Sequence, residues 1–584
     1  MEFILRRFRA GWSLWLAVQV ELQGQYSFQR MRDLAHYAQH TSVVRVIAVC
    51  LLTPAPCLVL MTLIDSVSLA RPEEGTDANY VHWCRNYFTV AFISYAILEQ
   101  FRHTVSGVSL GVRQMVAITA LASVAGVGTQ YAMSHVIGFL LPFSLVLGTP
   151  AWASPMIVLF LICCGKRFEE SPESRASMKN FLIVFLGQIS LTLIYPAYIF
   201  GLVSVHHSMQ SSFVILLPII KIVTKNWISR FLGDLDDMKP EIVVFNIEIF
   251  NALYVSCSMQ NAGSLSTSFV VMALDLLQAW ISICDVNKLV AEVRVLMGKI
   301  PVGHEIYGGK NCLEIALLII DEDSKVRTHS PLREFSSRSL TIRPSGSGPT
   351  TTAISNPQLV GPPQVLMNLR TAHKLNSIVP SGPSASSSFT GDTSWFPSSQ
   401  TNVIPIQKES EPPPSPFLQS QRGVNVFSSA ERLVFVQKCT RLLFTTEFII
   451  LVEYTEVIIP VIYSEDYTPR VYMLACVLHL KNREFYPQLA QMDHQDLAHM
   501  ILNVLGYAAL ELLSLVMITL VLKRKLQIDT TRQLTFVLQR QWVMVHSKIL
   551  MWFFYAVQTS LVHFGTLLST HTQAIKIIMR VGGL

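Results

Sequence analysis

Phe444-Thr-Thr-Glu-Phe-Ile-Ile-Leu-Val-Glu-Tyr-Thr-Glu-Val-Ile-Ile-Pro-Val-Ile-Tyr463 is the stretch whose reading decides the fold. It has the length of a membrane-crossing helix, which needs about 20 mostly apolar residues because lipid offers the backbone no hydrogen-bond partners. It also carries Glu447, Glu453 and Glu456. The surrounding composition settles how to take it. The 584 residues are 51% hydrophobic and only 14% charged, against roughly 25% charged in an ordinary soluble domain. Mean hydropathy is +0.41. A string of soluble domains is thereby excluded. So is a disordered chain, because 31 Phe, 17 Tyr and 9 Trp need burial. Ten cysteines in this length are ordinary usage and argue against a secreted disulfide scaffold. The expected fold class is all-α: a polytopic transmembrane helical bundle of about eleven spans with a long disordered cytoplasmic loop.

Working outward, apolar runs of spanning length are expected at Arg45–Ile64, Tyr87–Phe101, Gln114–Ala132, His135–Cys163, Phe181–Val205, Ser211–Ile228, Val243–Gln260, Thr267–Cys284, Leu443–Tyr463, Met500–Leu522 and Met544–Leu568. Tyr87–Phe101 is short. His135–Cys163 is too long and contains Pro142, Pro150 and Pro155, so it reads as a kinked helix or two half-helices. With the N-terminus inside and alternating spans, 37 Lys and Arg fall in inside segments and 7 outside; without the long loop the split is 21 to 7. That bias places the N-terminus in the cytoplasm and the C-terminus outside it, in the plasma membrane or an endomembrane.

The expected organisation follows. Residues 1–44 form a cytoplasmic, amphipathic N-terminus with Trp12 and Trp15 at headgroup depth. Residues 45–285 form an eight-span block and 286–322 cytoplasmic interfacial helices, with Cys312–Ile320 lying on the membrane. Residues 323–430 form a Ser/Pro-rich loop, and 431–584 a three-span block with an extracytoplasmic loop at 464–499. In that last loop Val471–Leu480 is too short to cross and reads as interfacial or re-entrant. Between residues 331 and 420, half of the 90 residues are Ser, Pro, Thr or Gly, a composition that cannot offset its ordering entropy. Ser330, Ser336 and Ser415 there are candidate phosphorylation sites; a passive linker is the plain alternative. Cys84 and Cys476 are the cysteines of the outside segments, where a bridge is conceivable.

Charge inside the membrane costs roughly 2.5–3.5 kcal/mol per residue and needs a reason. Glu453 and Glu456 are three apart, on one helical face near mid-depth, while Glu447 points elsewhere. Two close carboxylates repel, so one is expected to hold a proton near neutral pH, the arrangement of a proton relay or cation site. Asp275, Glu248 and Glu511 complete the candidate intramembrane site, and Lys221, Lys225, Lys548, Asn246, His546 and His563 are available partners. Facing charges of opposite sign that merely hold helices together are the alternative. Ala122-Ser-Val-Ala-Gly126 offers a small face for close helix approach. No Walker A, H-E-x-x-H, G-x-S-x-G or kinase signature is present, so no enzyme and no cofactor is expected. The +6 charge belongs to loops beside anionic lipid, so nucleic acid is not an expected partner. The lipid bilayer is, together with any cytosolic protein recruited by the 331–420 loop.

Leu451-Val-Glu-Tyr-Thr-Glu-Val-Ile-Ile-Pro460, Asn503-Val-Leu-Gly-Tyr507 with Glu511-Leu-Leu-Ser514, Gln533–Leu538 with Gln541-Trp542, Trp552 through His563-Phe-Gly565, and Asn251–Asn261 together resemble a family of uncharacterised multi-pass transmembrane proteins of oomycetes. The resemblance covers about residues 240–285 and 430–565. It implies the architecture above and no mechanism. Two functional classes stay open: a proton- or cation-coupled transporter or channel-like permease, and a non-transporting receptor or scaffold with a phosphorylatable loop.

Overall fold

A computed structural model describes residues 18–105, 107–141, 144–232, 236–261, 265–301, 303–304, 307–323, 426–467, 482–486, 494–526, 529–559 and 561–564. Met1–Phe335 and Gln419–Leu584 belong to one compact unit. Its described residues are helical and contain no strand. In chain order the helices are α1 (Phe28–His40), α2 (Val43–Leu52), α3 (Ala55–Asp65), α4 (Tyr80–Thr104), α5 (Val112–Ile137), α6 (Ser144–Glu170), α7 (Pro172–Ser204), α8 (His207–Phe213), α9 (Leu216–Leu232), α10 (Lys239–Asn261), α11 (Leu265–Met297), α12 (Cys312–Glu322), α13 (Ser429–Tyr467), α14 (His494–Leu526), α15 (Thr530–Arg540) and α16 (Trp542–Thr559).

Five stretches are long and apolar enough to cross a membrane by length and composition: Val43–Met61, Val112–Ile137, Ser144–Glu170, Pro172–Leu202 and Gly506–Lys525. The chain is therefore compatible with an integral membrane protein. Their outward faces carry bare aliphatic side chains, among them Val136, Ile162 and Leu193, which water would penalise and lipid would not.

Helices from both sides of the long loop interleave. α13 is central, packed against α10, α11, α12, α14 and α15, and every residue from 442 to 456 is buried. Its start is held by a capping box: the Glu431 amide donates to Ser428 Oγ (3.3 Å) and the Ser428 amide to Glu431 Oε2 (2.9 Å). α10 is buried along residues 240–253 and touches α7, α9, α11, α13 and α16. On the outside, α5 packs on α6 and α4. The small-residue face works as expected, since Ala122 is buried and a Cβ on Gly126 would lie 2.8 Å from Trp152 Cβ.

Several expectations need correction. His135–Cys163 is neither one kinked span nor two half-helices meeting at a proline. His135 lies in the last turn of α5, Gly138 closes that helix at a positive φ of 114°, and α6 then runs unbroken through Pro150 and Pro155. Arg45–Ile64 does contain a stretch of spanning length, Val43–Met61, but it is built of two helices, α2 and α3, parted just before Ala55, beside Pro54, which has no N–H to continue the ladder. Ser211–Ile228 is likewise split between α8 and α9. Cys312–Ile320 does not spend its apolar face on a membrane surface. Cys312, Ile315, Ala316 and Ile319 are buried in protein, where α12 packs on α13 and α1. Lys221 and Lys225, counted above among the 37 inside charges although they fall within the expected span Ser211–Ile228, are buried within α9, which lowers the inside charge count by two. Trp12, Trp15, Cys476, Val471–Leu480 and Ser330, Ser336 and Ser415 lie outside the described residues; Cys84 is exposed.

Candidate functional site

The buried charges gather in tiers along α10 and α13. Arg30 on α1 joins Glu241 to Glu447, its Nη2 lying 2.6 Å from an Oε1 of each. Higher up, Lys221 on α9 joins Glu248 Oε2 (2.8 Å) to Glu456 Oε1 (2.9 Å). The two helices are thus parallel and in register. Seven to nine residues separate the tiers, about 10–13 Å at the helical rise.

In the lower tier, Tyr26 Oη donates to Glu447 Oε2, and Gln533 Nε2 donates to Tyr26 Oη and to the Leu443 carbonyl, both at 2.8 Å. The Arg30 guanidinium stacks 5.1 Å from the Tyr26 ring. Four parts of the chain, Tyr26 just before α1 together with α10, α13 and α15, converge on one guanidinium. Its two carboxylates exceed its single positive charge by one.

The upper tier is built by α9. Lys221 and Lys225 are four apart, hence on one face, and Lys225 Nζ reaches Glu248 Oε1 at 2.7 Å. The side chains of Lys221, Lys225, Glu248 and Glu456 are 0–7% exposed. Removing a partner from such a set leaves a bare buried charge, which is what makes the arrangement costly to break. Beside it lies a polar pocket of about 10 Å³, room for a single water, walled by Lys225, Gln278, Phe448, Glu453 and Glu456. Glu453 and Glu456 do share a face, as their spacing predicts, and both line this pocket.

A third group sits on the far side of α10. Lys548 of α16 is 1% exposed and donates to Asn246 Oδ1 (2.6 Å) and Gln100 Oε1 (3.1 Å); Asn246 also accepts from Gln188. These described partners are neutral amides rather than carboxylates.

The sequence-predicted residues therefore divide. Glu248, Glu453 and Glu456 come together. Glu447 belongs to the lower tier, with Arg30. Glu511 is buried on α14, whereas the contacts around the lysines are made by Glu248 and Glu456. Asp275 lies on α11, its side chain outside the description. His563 lies past the end of α16, bonded to the Ala70 carbonyl at 2.8 Å and stacked on His82. Sequence reading missed Arg30, Glu241, Tyr26 and Gln533. A basic N-terminal segment reads as cytoplasmic, and Glu241 falls two residues before its apolar run; partners 211 and 417 positions apart leave no periodic signal. Among the described residues no group of three or more His, Cys, Asp or Glu is placed to hold a metal ion. Comparison with protein-family models, with curated proteins and with solved structures finds no match.

Proposed function

We propose that this chain is an integral membrane protein of eleven helical passes, N-terminus cytoplasmic and C-terminus outside, that moves protons or a small cation through the α9–α10–α13 charge network. The observation that carries the reading is the small polar pocket beside Lys225, where Glu453 and Glu456 wall a space for one water at mid-length of a buried helix. A proton or a small cation fits that space; a larger solute does not. The lower tier, with two carboxylates on one guanidinium, supplies a second proton-holding station on the same two helices.

The topology has independent support. Segments assigned inside meet at one end, as in the Arg30–Glu241–Glu447 and Lys525–Asn287 contacts. Segments assigned outside meet at the other, as in Asn482–Leu69, and His563, near the outer end of the last expected span, bonds Ala70 there.

The test is proton flux in vesicles holding the purified full chain and a pH-sensitive dye. The wild type collapses an imposed pH gradient, and Glu453→Gln with Glu456→Gln slows it about a hundredfold or more, the loss expected for removing a proton-transfer group. An unchanged rate in the double variant refutes the reading. One observation favours a second class. The lysines are fully engaged with carboxylates between helices, as in a non-transporting receptor or scaffold whose loop carries Ser330, Ser336 and Ser415. A wild type with no flux, together with loss of cytosolic partners on deletion of residues 331–420, decides for that class.

A further inference from the structure

A second site lies outside the charge network, on the surface at the Arg30 end. α1 and α2 on one side and α15 and the start of α16 on the other enclose an open groove of about 860 Å³. Its construction is two-sided. One wall is aliphatic: Ala48, Val49 and Leu52 of α2, which belong to a stretch long and apolar enough to cross a membrane. Val43, Val44 and Leu51 continue that surface outward, each more than half exposed. The opposite rim is basic and aromatic, with Arg45, Arg540, His36 and His546 beside Trp542.

The polar groups are pre-set rather than loose. Gln539 Oε1 accepts from Tyr37 Oη (2.9 Å) and from Arg45 Nη2 (3.1 Å), which fixes the Arg45 guanidinium over the groove and uses one of its five donors. Arg540 Nη2 is held 3.0 Å from Asp33 Oδ2, and Asp33 also accepts from Gln29 at 2.9 Å. Asp33 is the one carboxylate among the lining residues, against two guanidinium groups. Tyr37 is itself fixed edge-on to Phe536, with centroids 5.6 Å apart. Two forked cations above an aliphatic wall, at the depth where Trp542 is exposed, match one ligand chemistry. Such a site suits a phosphate monoanion at the guanidinium groups with acyl chains along α2.

We propose that this groove binds one anionic glycerophospholipid from the leaflet at the Arg30 end, with its phosphate between Arg45 and Arg540 and its chains on Ala48, Val49 and Leu52. The volume falls within the range of ordinary ligand pockets, about 300–1,000 Å³. The site is separate from the proton-path reading, and either can fail without the other.

Native mass spectrometry of the purified full chain in detergent, with phosphatidylserine or phosphatidylcholine added, tests it. One phosphatidylserine per chain is expected to be retained at about tenfold lower concentration than phosphatidylcholine, whose phosphate is the same but whose trimethylammonium cancels its charge and is repelled by the two guanidinium groups. Arg45→Gln with Arg540→Gln abolishes that preference, whereas Arg113→Gln, which removes an exposed charge at the start of α5, leaves it intact. Arg45→Gln alone keeps the Arg540–Asp33 pair and serves if the double variant misfolds; it weakens retention in the same direction. Soluble glycerophosphoserine does not displace the lipid if the aliphatic wall contributes. Equal retention of both lipids overturns the proposal. So does an undiminished preference in the Arg45 variants, displacement by the soluble headgroup at equal concentration, or a dimer in place of a lipid adduct.

Discussion

α6 and α13 are both long helices with prolines inside them, and they solve opposite problems. Only 17% of α6's most apolar window is buried, and Ile157, Leu161 and Ile162 stand bare on its surface. α13 is buried from residue 442 to 456 yet holds Glu447, Glu453 and Glu456 in that length. In water the apolar helix would be inside and the charged one outside. Here the order is inverted, because lipid takes aliphatic surface without cost while a bundle interior supplies partners for charge. Hydropathy therefore finds the outer helices and undervalues the inner ones.

The comparison breaks most visibly at Lys221. Lys221→Met leaves Glu248 and Glu456 buried with one ammonium fewer, a cost of about 3–5 kcal/mol. The expected result is a large drop in the melting temperature of the purified chain or no folded chain at all. Glu248→Gln in the same background returns part of the loss, since a neutral amide no longer needs the missing cation. A Lys221→Met protein as stable as the wild type means the tier is not a structural keystone.

The outer surface should respond to the reverse change. Ile162→Arg puts a charge where α6 is 72% exposed, costing about 2.5–3.5 kcal/mol on insertion if that face meets lipid. Membrane-integrated yield falls, while Ile162→Leu is neutral. Equal yields show that this face does not lie in hydrocarbon. A smaller effect is expected where α5 meets α6. Gly126→Ala brings a Cβ to 2.8 Å from Trp152 Cβ, and overpacking of that kind costs about 1–3 kcal/mol. Gly128→Ala, with open space around its Cβ position, is the matched control, and thermal shifts of the two variants compare them directly.

Much of this contrast was legible in the sequence, and the limit has a physical cause. Five of the expected spans coincide with stretches long and apolar enough to cross a membrane, because twenty apolar residues leave the backbone few alternatives. Glu453 and Glu456 share a pocket because a spacing of three fixes a face. Which proline breaks a helix was not legible. Pro54 sits between two helices while Pro150 and Pro155 sit inside one. At the break, the Cys50 carbonyl that Pro54 leaves free accepts from Tyr454 Oη of α13 at 2.8 Å, a tertiary partner that no local pattern announces. Arg30 was hidden for a similar reason. Its charge reads as cytoplasmic, and only the folded chain brings it between Glu241 and Glu447.

The subtlest difference between inner and outer regions is at the start of α13, before it enters the core. Glu431 there bonds Lys299 and closes the capping box with Ser428, and those contacts hold its carboxyl down at about 2. An unfolded glutamate titrates near 4.3. With the folded value depressed, the contribution is fully present above about pH 4.3 and is lost as pH falls toward 2. Because the carboxylate is exposed and screened, the effect is local: amide hydrogen exchange at residues 429–434 should quicken as pH drops through this window, after correction for intrinsic rates. Lys299→Met should bring the onset closer to pH 4.3, while exchange at residues 442–456 stays slow in both proteins. If the buried stretch opened together with the cap, α13 would be one cooperative element whose core tiers depend on its solvent-exposed first turn.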